Sequence, residues 1–309
     1  MIVACLPDRE AVDLVGVIDG VAQVVWDGTR EPPDDIEQAS IFVAPYDRQA
    51  PDPETLAASL PDLRVIQLLS AGYDAWLPAL EVLRRRSPEV VLCNGRGVHG
   101  GSTAEIALAL LLNLVRDMPR YLRQQADAAW IVGERRSVAD LKVLVVGAGE
   151  VGTRITEALL ALGADVSVAT RSGGAGRIVL ADVHEHLTQF DALVLALPLA
   201  PGTVGLVDAA FLAQLKDDAI LVNVGRGPII QTDDLLVELR NQRIRVGLDV
   251  TDPEPLPASH PLWHMPGVLL TPHVGGGSEG WKARAYASLV RRQLERLRDG
   301  EELANVVTL

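Results

Sequence analysis

The sequence has few of the features that would place the protein in a membrane, in an oxidising compartment or on nucleic acid. Its only cysteines, Cys5 and Cys93, lie in strand-like apolar runs without metal-ligand spacing. We therefore expect reduced core thiols, and no metal site. No apolar run reaches the roughly 18–20 residues that a transmembrane helix needs. The formal net charge of −13 argues against nucleic acid, which requires a basic surface.

The start of the chain gives a further expectation. Residues 1–10 begin with a strand-like run and lack the charged region and cleavage site of a signal peptide. We therefore expect a cytoplasmic protein without a membrane partner. The 309-residue length favours two domains, since domains usually contain about 100–200 residues.

Short apolar runs alternate with helix-forming segments along most of the chain, which is typical of parallel, doubly wound sheets. The first series of predicted strands reads MIVACL, VAQVVWD, SIFVAPY, LRVIQLLS and EVVLCN, and the second reads KVLVVGAG, DVSVAT, ALVLAL, AILVNV, RVGLDV and GVLLTP. The second series has enough strands for a complete dinucleotide-binding domain. A long apolar helix is predicted over residues 102–122, capped by Ser102 or Thr103. A basic helix is predicted over residues 281–298, and a strand-like tail over residues 304–309.

A glycine loop opens the second series. Gly147, Gly149 and Gly152 form a G-x-G-x-x-G pattern between an apolar strand and a helix. In this context the first glycine permits a tight turn, the second lets the backbone approach a pyrophosphate, and the third allows helix and strand to pack closely. The alternative is a glycine turn in a domain that binds no nucleotide.

The next predicted strand ends at Thr170, Arg171 and Ser172, with Arg177 nearby. A site that prefers NAD usually has an acidic residue here, whereas arginine suits contacts with a phosphate. We predict a preference for NADP(H), with Arg171 and Ser172 at the 2′-phosphate. The alternative is use of NAD, with Arg171 stacked on adenine or in solvent.

Three further stretches follow predicted strands, and ligands bind at the carboxyl edge of a parallel sheet. They are residues 223–227 (NVGRG), 248–257 (LDVTDPEPLP) and 271–276 (TPHVGG). With these stretches the chain resembles the D-isomer-specific 2-hydroxyacid dehydrogenase family, which includes glyoxylate/hydroxypyruvate reductases, 3-phosphoglycerate dehydrogenases and D-lactate dehydrogenases. The resemblance covers most of the chain, is strongest over residues 141–277, and includes the loop at residues 197–203.

The resemblance implies roles for individual residues. Arg226 is similar to the arginine that binds the substrate carboxylate and carbonyl oxygen, His273 to the catalytic acid/base, and Glu254 to the carboxylate that orients the histidine. Asp249 resembles the acidic residue near the nicotinamide carboxamide. An imidazole suits the acid/base role because it changes charge near neutral pH.

The family also implies a domain organisation: a flavodoxin-like substrate domain of residues 1–95 and 283–309, and a Rossmann dinucleotide-binding domain of residues 96–282. In the family the helix after Ser102 serves as a dimer interface, which implies a homodimer. The predicted cofactor-binding residues are Gly147, Gly149, Glu150, Val151, Gly152, Thr170, Arg171, Ser172, Leu197, Pro198, Thr203, Val224, Gly225, Asp249 and Gly275, and the predicted substrate-binding residues are Ser70, Ala71, Gly72, Asn94, Arg226 and His273.

The resulting prediction is an NAD(P)-dependent oxidoreductase that interconverts a small 2-oxo acid and its D-2-hydroxy acid. Formate dehydrogenases pair their histidine with glutamine, so Glu254 argues against formate. Phosphite dehydrogenases keep the Arg-Glu-His set, and so do corepressor proteins that share this fold and sense dinucleotides. Both remain alternatives.

Overall fold

A computed structural model describes residues 1–46, 51–134, 136–174, 176–277 and 280–308. The chain divides into two compact units, the smaller built from residues 1–99 with 277–309 and the larger from residues 100–276. The domain limits expected from the sequence, 95/96 and 282/283, lie a few residues from these divisions.

The smaller unit contains a five-stranded parallel sheet in the order β2-β1-β3-β4-β5, the flavodoxin-like order. All five strands predicted in this part of the chain are confirmed. The strands are β1 (Ile2–Leu6), β2 (Val21–Val25), β3 (Ile41–Val43), β4 (Val65–Gln67) and β5 (Val91–Cys93). The helices are α1 (Arg9–Val15), α2 (Pro53–Ser59), α3 (Leu77–Arg86) and a C-terminal helix in three stretches, Trp281–Ala283, Arg284–Val290 and Arg291–Asp299.

The predicted strand at the C-terminal tail is wrong. Only an isolated antiparallel bridge joins Cys93 to Val306. Asn305 has a φ of +56°, so the backbone leaves the extended conformation and a ladder cannot continue through it. Leu309 lies outside the described residues.

The larger unit contains a seven-stranded parallel sheet in the order β12-β11-β10-β9-β6-β7-β8. The sequence predicted six of these strands. It missed β8, which has only two residues and therefore no detectable periodicity. The strands are β6 (Lys142–Val146), β7 (Asp165–Thr170), β8 (Ile178–Val179), β9 (Ala192–Leu195), β10 (Ala219–Asn223), β11 (Ile244–Leu248) and β12 (Val268–Leu270).

The long helix predicted over residues 102–122 is two helices, α4 (Gly100–Val115) and α5 (Met118–Ala126). Between them Asp117 has a φ of +50°. Pro119 lacks an N–H and its ring would clash with a carbonyl one turn earlier, so the helix cannot run through it. Since α4 begins at Gly100, the prediction that Ser102 or Thr103 caps it is also wrong.

The remaining helices of the larger unit flank its sheet. They are α6 (Glu150–Ala161), α7 (Ala209–Ala213) and α8 (Thr232–Arg240), with short 3-10 turns such as Gly227–Ile229 and Pro261–His264. Residues 143–146 and 192–195 are fully buried, so β6 and β9 form the centre of the core. The loops at their carboxyl ends are therefore held on a rigid base. No helix in the described part of the chain is long and apolar enough to cross a membrane.

Candidate active site

The glycine loop follows β6 and turns directly into α6. Gly147 has a φ of +115°, a conformation that other residues rarely adopt. A Cβ atom at Gly147 would lie 2.4 Å from the Ala196 carbonyl oxygen, and one at Gly152 would lie 1.9 Å from the Gly147 oxygen. Packing within the chain is therefore sufficient to explain the glycine at both positions.

Gly149 differs from the other two glycines. A Cβ atom there would meet nothing within 4 Å, so packing within the chain does not explain this glycine. The open space lies at the first residue before α6, where amide N–H groups point outward and favour an anion. The loop thus fits the pyrophosphate of a dinucleotide.

The residues after β7 form an open turn. Arg171, Ser172 and Arg177 are exposed, and the Arg177 N–H donates to the Gly174 carbonyl at 2.9 Å. The Thr170 hydroxyl donates to the Gly173 carbonyl at 3.4 Å. The turn thus offers two accessible guanidinium groups, with a hydroxyl residue instead of a carboxylate at the end of β7.

The loop after β9 is closed by Thr203, which is 6% exposed. Its hydroxyl donates to the Pro198 carbonyl at 2.8 Å and accepts from the Ala200 N–H at 2.8 Å. The Thr203 side chain therefore stabilises the conformation of this loop through hydrogen bonds to its backbone. The backbone of Leu197 approaches Gly225, where a Cβ atom would lie 2.5 Å from the Leu197 oxygen.

Arg226 lies in the loop after β10, and a buried asparagine fixes that loop. The Asn223 side chain donates to the Arg226 carbonyl at 2.9 Å and accepts from the Gly225 N–H at 3.0 Å. Gly227 then lets the loop meet the next one, because a Cβ atom there would lie 1.9 Å from the Thr251 oxygen. Asn223 was not predicted as a site residue, although its position in NVGRG at a strand end was a usable signal.

Glu254 and His273 form the central contact of the site. His273 Nδ1 lies 2.5 Å from Glu254 Oε1, and both side chains are about 40% exposed, at 42% and 40%. Glu254 Oε2 also accepts from the Thr251 N–H at 3.4 Å. The imidazole is therefore oriented through one ring nitrogen, which leaves Nε2 for a reacting group.

This contact changes the proton affinity of both groups. The hydrogen bond to Glu254 raises the pKa of His273 above its ordinary value of 6.5, although burial and the positive charge of Arg226 act in the opposite direction. The hydrogen bond to His273 lowers the pKa of Glu254, and the charge of Arg226 contributes to that decrease. The pair thus favours imidazolium and carboxylate, within the electrostatic range of an arginine.

Asp249 lies at the end of β11 and is 2% exposed. Its Oδ1 accepts from the Thr271 hydroxyl at 2.6 Å and from the Val274 N–H at 2.9 Å, and its Oδ2 accepts from the Gly275 N–H at 2.9 Å. The family resemblance implies a position near the nicotinamide carboxamide for Asp249. These three hydrogen bonds of its carboxylate are all with the turn that bears His273.

The predicted substrate-binding turn of the smaller unit follows β4. The Ser70 hydroxyl donates to the Gly72 carbonyl at 2.7 Å, and the Asn94 side chain donates to the Ala71 carbonyl at 3.0 Å. Asn94 is 6% exposed. The structure therefore brings Asn94 together with the Ser70–Gly72 turn and uses its amide to fix that turn.

Three aromatic rings form a cluster in the smaller unit. Trp281 lies 4.3 Å from Tyr46 and 5.5 Å from His99, measured between ring centroids. None of these three residues is among the predicted substrate-binding residues. Tyr46 was missed, because no local pattern marks it.

No metal centre is formed by the side chains that the structure describes: it contains no group of three or more His, Cys, Asp or Glu suited to hold an ion. Cys5 and Cys93 are both buried, and burial raises the pKa of Cys5 to about 12 and that of Cys93 to about 11. Such thiols remain protonated and unreactive near neutral pH.

Comparison with known proteins agrees with this geometry. The sequence profile described as "D-isomer specific 2-hydroxyacid dehydrogenase, NAD binding domain" matches residues 108–275. The mouse glyoxylate reductase/hydroxypyruvate reductase is 30% identical over 251 residues, which cover 77% of this chain and 75% of the mouse protein. The chain therefore belongs to the D-isomer-specific 2-hydroxyacid dehydrogenase family, and it is an oxidoreductase with an NAD(P)-binding Rossmann domain.

Solved structures show the same relationship. A D-isomer specific 2-hydroxyacid dehydrogenase from Xanthobacter autotrophicus, in complex with NADPH and MES, is 27% identical, with a TM-score of 0.84 over 99% of this chain and 98% of that chain. An NADPH-dependent glyoxylate/hydroxypyruvate reductase from Sinorhizobium meliloti, in complex with NADP and sulfate, is also 27% identical, with a TM-score of 0.83 over 99% and 97%. The two-domain α/β fold predicted from the sequence is thus confirmed.

Proposed function

We propose that the protein reduces a small 2-oxo acid to the D-2-hydroxy acid, with NADPH as the preferred cofactor. The observation that supports this most directly is the 2.5 Å contact between His273 and Glu254, together with the influence of the Arg226 charge on both groups. This combination supplies an anion-binding cation and a proton donor at the same sheet edge.

Arg226 binds the substrate carboxylate and carbonyl oxygen through its planar guanidinium group, which suits a 2-oxo acid. This local positive charge also offsets the acidic net charge of the chain. The imidazolium of His273 donates its Nε2 proton to the carbonyl oxygen, and Glu254 stabilises the imidazolium through Nδ1. The glycine loop at Gly147–Gly152 would hold the dinucleotide, whose reduced nicotinamide would supply the hydride for C2. In the reverse direction neutral His273 accepts the hydroxyl proton.

The smaller unit serves as the substrate domain in this proposal, and the larger unit binds the dinucleotide. Ser70, Ala71, Gly72 and Asn94 contribute to holding the substrate carboxylate. This part of the proposal is supported by the geometry of the Ser70–Gly72 turn, which Asn94 fixes through its buried amide. A fixed turn presents backbone N–H groups to an anion without a cost for ordering them.

The preference for NADPH is supported by the open turn after β7. Arg171 and Ser172 are exposed there, next to Thr170 in place of a carboxylate that would repel a 2′-phosphate. The relatives with NADPH or NADP in their structures are consistent with this choice. Use of NAD is the competing outcome.

We also propose that the protein acts in the cytoplasm as a homodimer. The family resemblance points to the helix after Ser102, but Leu110 and Leu111 of that helix are buried in the core of the larger unit. The exposed apolar side chains of Trp130, Ile131 and Val132 offer a second candidate contact surface. Sedimentation of the wild type and of Trp130→Ser checks this assignment, and a monomeric wild type contradicts it.

The activity is tested by NADPH oxidation with a panel of 2-oxo acids that includes glyoxylate and hydroxypyruvate. Parallel reactions supply phosphite or formate with NADP. We expect turnover of at least one 2-oxo acid and formation of the D-product. NADPH binding without turnover of any panel member contradicts the proposal and favours a dinucleotide-sensing role. Oxidation of phosphite alone favours the phosphite dehydrogenase alternative.

A further inference from the structure

The turn that bears His273 has an unusual backbone. We call residues 271–275 the His273 turn. His273 has a φ of +53°, and its N–H points to both the Asp249 carbonyl, at 2.8 Å, and the Thr271 carbonyl, at 3.0 Å. A residue other than glycine keeps a left-handed conformation only when its surroundings enforce it.

The Asp249 carboxylate accepts hydrogen bonds from both sides of His273. Thr271 precedes the histidine, and Val274 and Gly275 follow it. Hydrogen bonds to an ionised carboxylate are stronger than neutral ones, and these three take up most of the roughly four acceptor positions of the group. The buried carboxylate is therefore committed mainly to the turn.

Gly275 completes this arrangement. A Cβ atom at this position would lie 2.8 Å from Asp249 Oδ2 and 3.4 Å from the Thr103 Cα atom. The Thr103 hydroxyl also donates to the Gly275 carbonyl at 3.1 Å. The turn is thus fixed between Asp249 on one side and the first turn of α4 on the other.

We propose that Asp249 is a positioning residue, whose carboxylate holds the His273 turn so that the imidazole Nδ1 meets Glu254. This inference rests on the proposed acid/base role of His273, and it goes beyond the cofactor contact that the resemblance implies for Asp249. Small misplacements of a reacting group cost about 10²-fold in rate. The position of the turn therefore affects the rate of the reaction.

The test must separate position from charge. The charged groups around His273 in the described residues are Glu254, Arg226 and Asp249. Asp249→Asn removes both a negative charge and an acceptor, so it alone cannot distinguish the two effects. Thr271→Val removes one donor to the carboxylate and leaves every charge in place. Thr156→Val, which removes a hydroxyl bonded within α6, is the matched control.

The experiment measures kcat, KM, the Kd of NADPH, and the pKa of His273 by NMR of the labelled imidazole without cofactor. For Asp249→Asn we expect kcat to fall by about 10²-fold and the His273 pKa to move down toward its ordinary value. Thr271→Val shows smaller changes in the same direction, and Thr156→Val shows neither. The NADPH Kd changes much less than kcat. If Asp249→Asn does not fold, Thr271→Val and Gly275→Ala carry the test.

Two results would overturn the inference. One is weaker NADPH binding in Asp249→Asn with an unchanged kcat and His273 pKa, which identifies a cofactor contact. The other is a His273 pKa that falls in Asp249→Asn but not in Thr271→Val or Gly275→Ala, which identifies a simple charge effect. If the wild type turns over no 2-oxo acid while the pKa changes occur as expected, the proposed function fails and the positioning role stands.

Discussion

The amino ends of the strands form one edge of the larger sheet, and the carboxyl ends form the opposite edge. The charged side chains at these two edges have different kinds of partner. At the amino edge, acidic side chains pair with lysine or arginine: Lys216 Nζ lies 2.7 Å from Asp191 Oδ1, and Arg243 Nε lies 2.5 Å from Glu238 Oε2. At the carboxyl edge, the Glu254 carboxylate contacts an imidazole, whose charge depends on pH. The first arrangement stabilises the fold over a wide pH range, whereas the second can move a proton.

Loss of the imidazole tests this difference most severely. We expect His273→Ala to reduce kcat by about 10²–10⁴-fold, because general acid catalysis contributes that much. NADPH binding should persist, since the glycine loop is unchanged. Steady-state kinetics and cofactor titration check both statements, with the exposed His264→Ala as control. Activity within about tenfold of the wild type would refute the acid/base assignment.

The pH dependence of reduction sharpens the comparison. Reduction needs protonated His273, so its rate falls as the pH rises through the raised pKa of that group. In Glu254→Gln the carboxylate charge is lost, the His273 pKa falls, and the alkaline limit of kcat/KM moves to lower pH. The exposed Asp252→Asn in the same loop is the control. An identical alkaline limit in wild type and Glu254→Gln would show that the pair does not control the proton.

A substitution in the turn after β7, also at the carboxyl edge, should have a smaller effect. We expect Arg171→Ala to weaken NADPH binding about tenfold, or about 1.4 kcal/mol, and to leave NADH binding nearly unchanged. Titration of both cofactors measures this, and Arg240→Ala at the exposed end of α8 is the control. Equal losses for NADPH and NADH would remove the assignment to the 2′-phosphate.

A substitution at the amino edge should change the stability of the protein and leave its activity unchanged. Burial alone would raise the pKa of Asp191, but hydrogen bonds from the Lys216 side chain and the Lys142 N–H outweigh it, and the pKa is lowered. Both side chains of the pair are about one-third exposed, at 39% and 31%. Lys216→Met should therefore cost at most about 1 kcal/mol of unfolding free energy.

Urea denaturation at neutral pH measures that cost. Because the pKa of Asp191 is lowered in the fold, its contribution is present above the ordinary carboxyl pKa and disappears as the pH falls through the lowered value. The difference between wild type and Lys216→Met should shrink accordingly. A marked loss of kcat in Lys216→Met would break the distinction between the two edges.

The sequence predicted the architecture well where periodicity was strong. The buried strands, the glycine loop and the order of the charged residues at strand ends are all local patterns, and both parallel sheets are confirmed. It failed where one backbone angle decides the structure. The left-handed Asp117 separates α4 from α5, and Asn305 prevents a strand in the tail.

The geometry of the site was harder to predict from the sequence than the fold was. Asp249 contacts Val274 and Gly275 across 25 and 26 residues, and these bonds exist only because β11 and β12 are neighbours in the sheet. The side chains of Asn223 and Asn94 likewise hydrogen-bond to the carbonyl groups of Arg226 and Ala71 and fix the turns there. A motif shows which residues stand at a site, but not which of them support the others.

The left-handed backbone at His273 has a consequence for protein engineering. Such a conformation costs most residues about 1–2 kcal/mol, whereas glycine adopts it freely. His273→Gly would therefore relax the turn but also remove the proton donor, so selection for heat resistance and selection for turnover oppose each other at this position. Thermostable variants that retain activity should accumulate their changes elsewhere, and the histidine should reappear in any lineage that is selected for turnover.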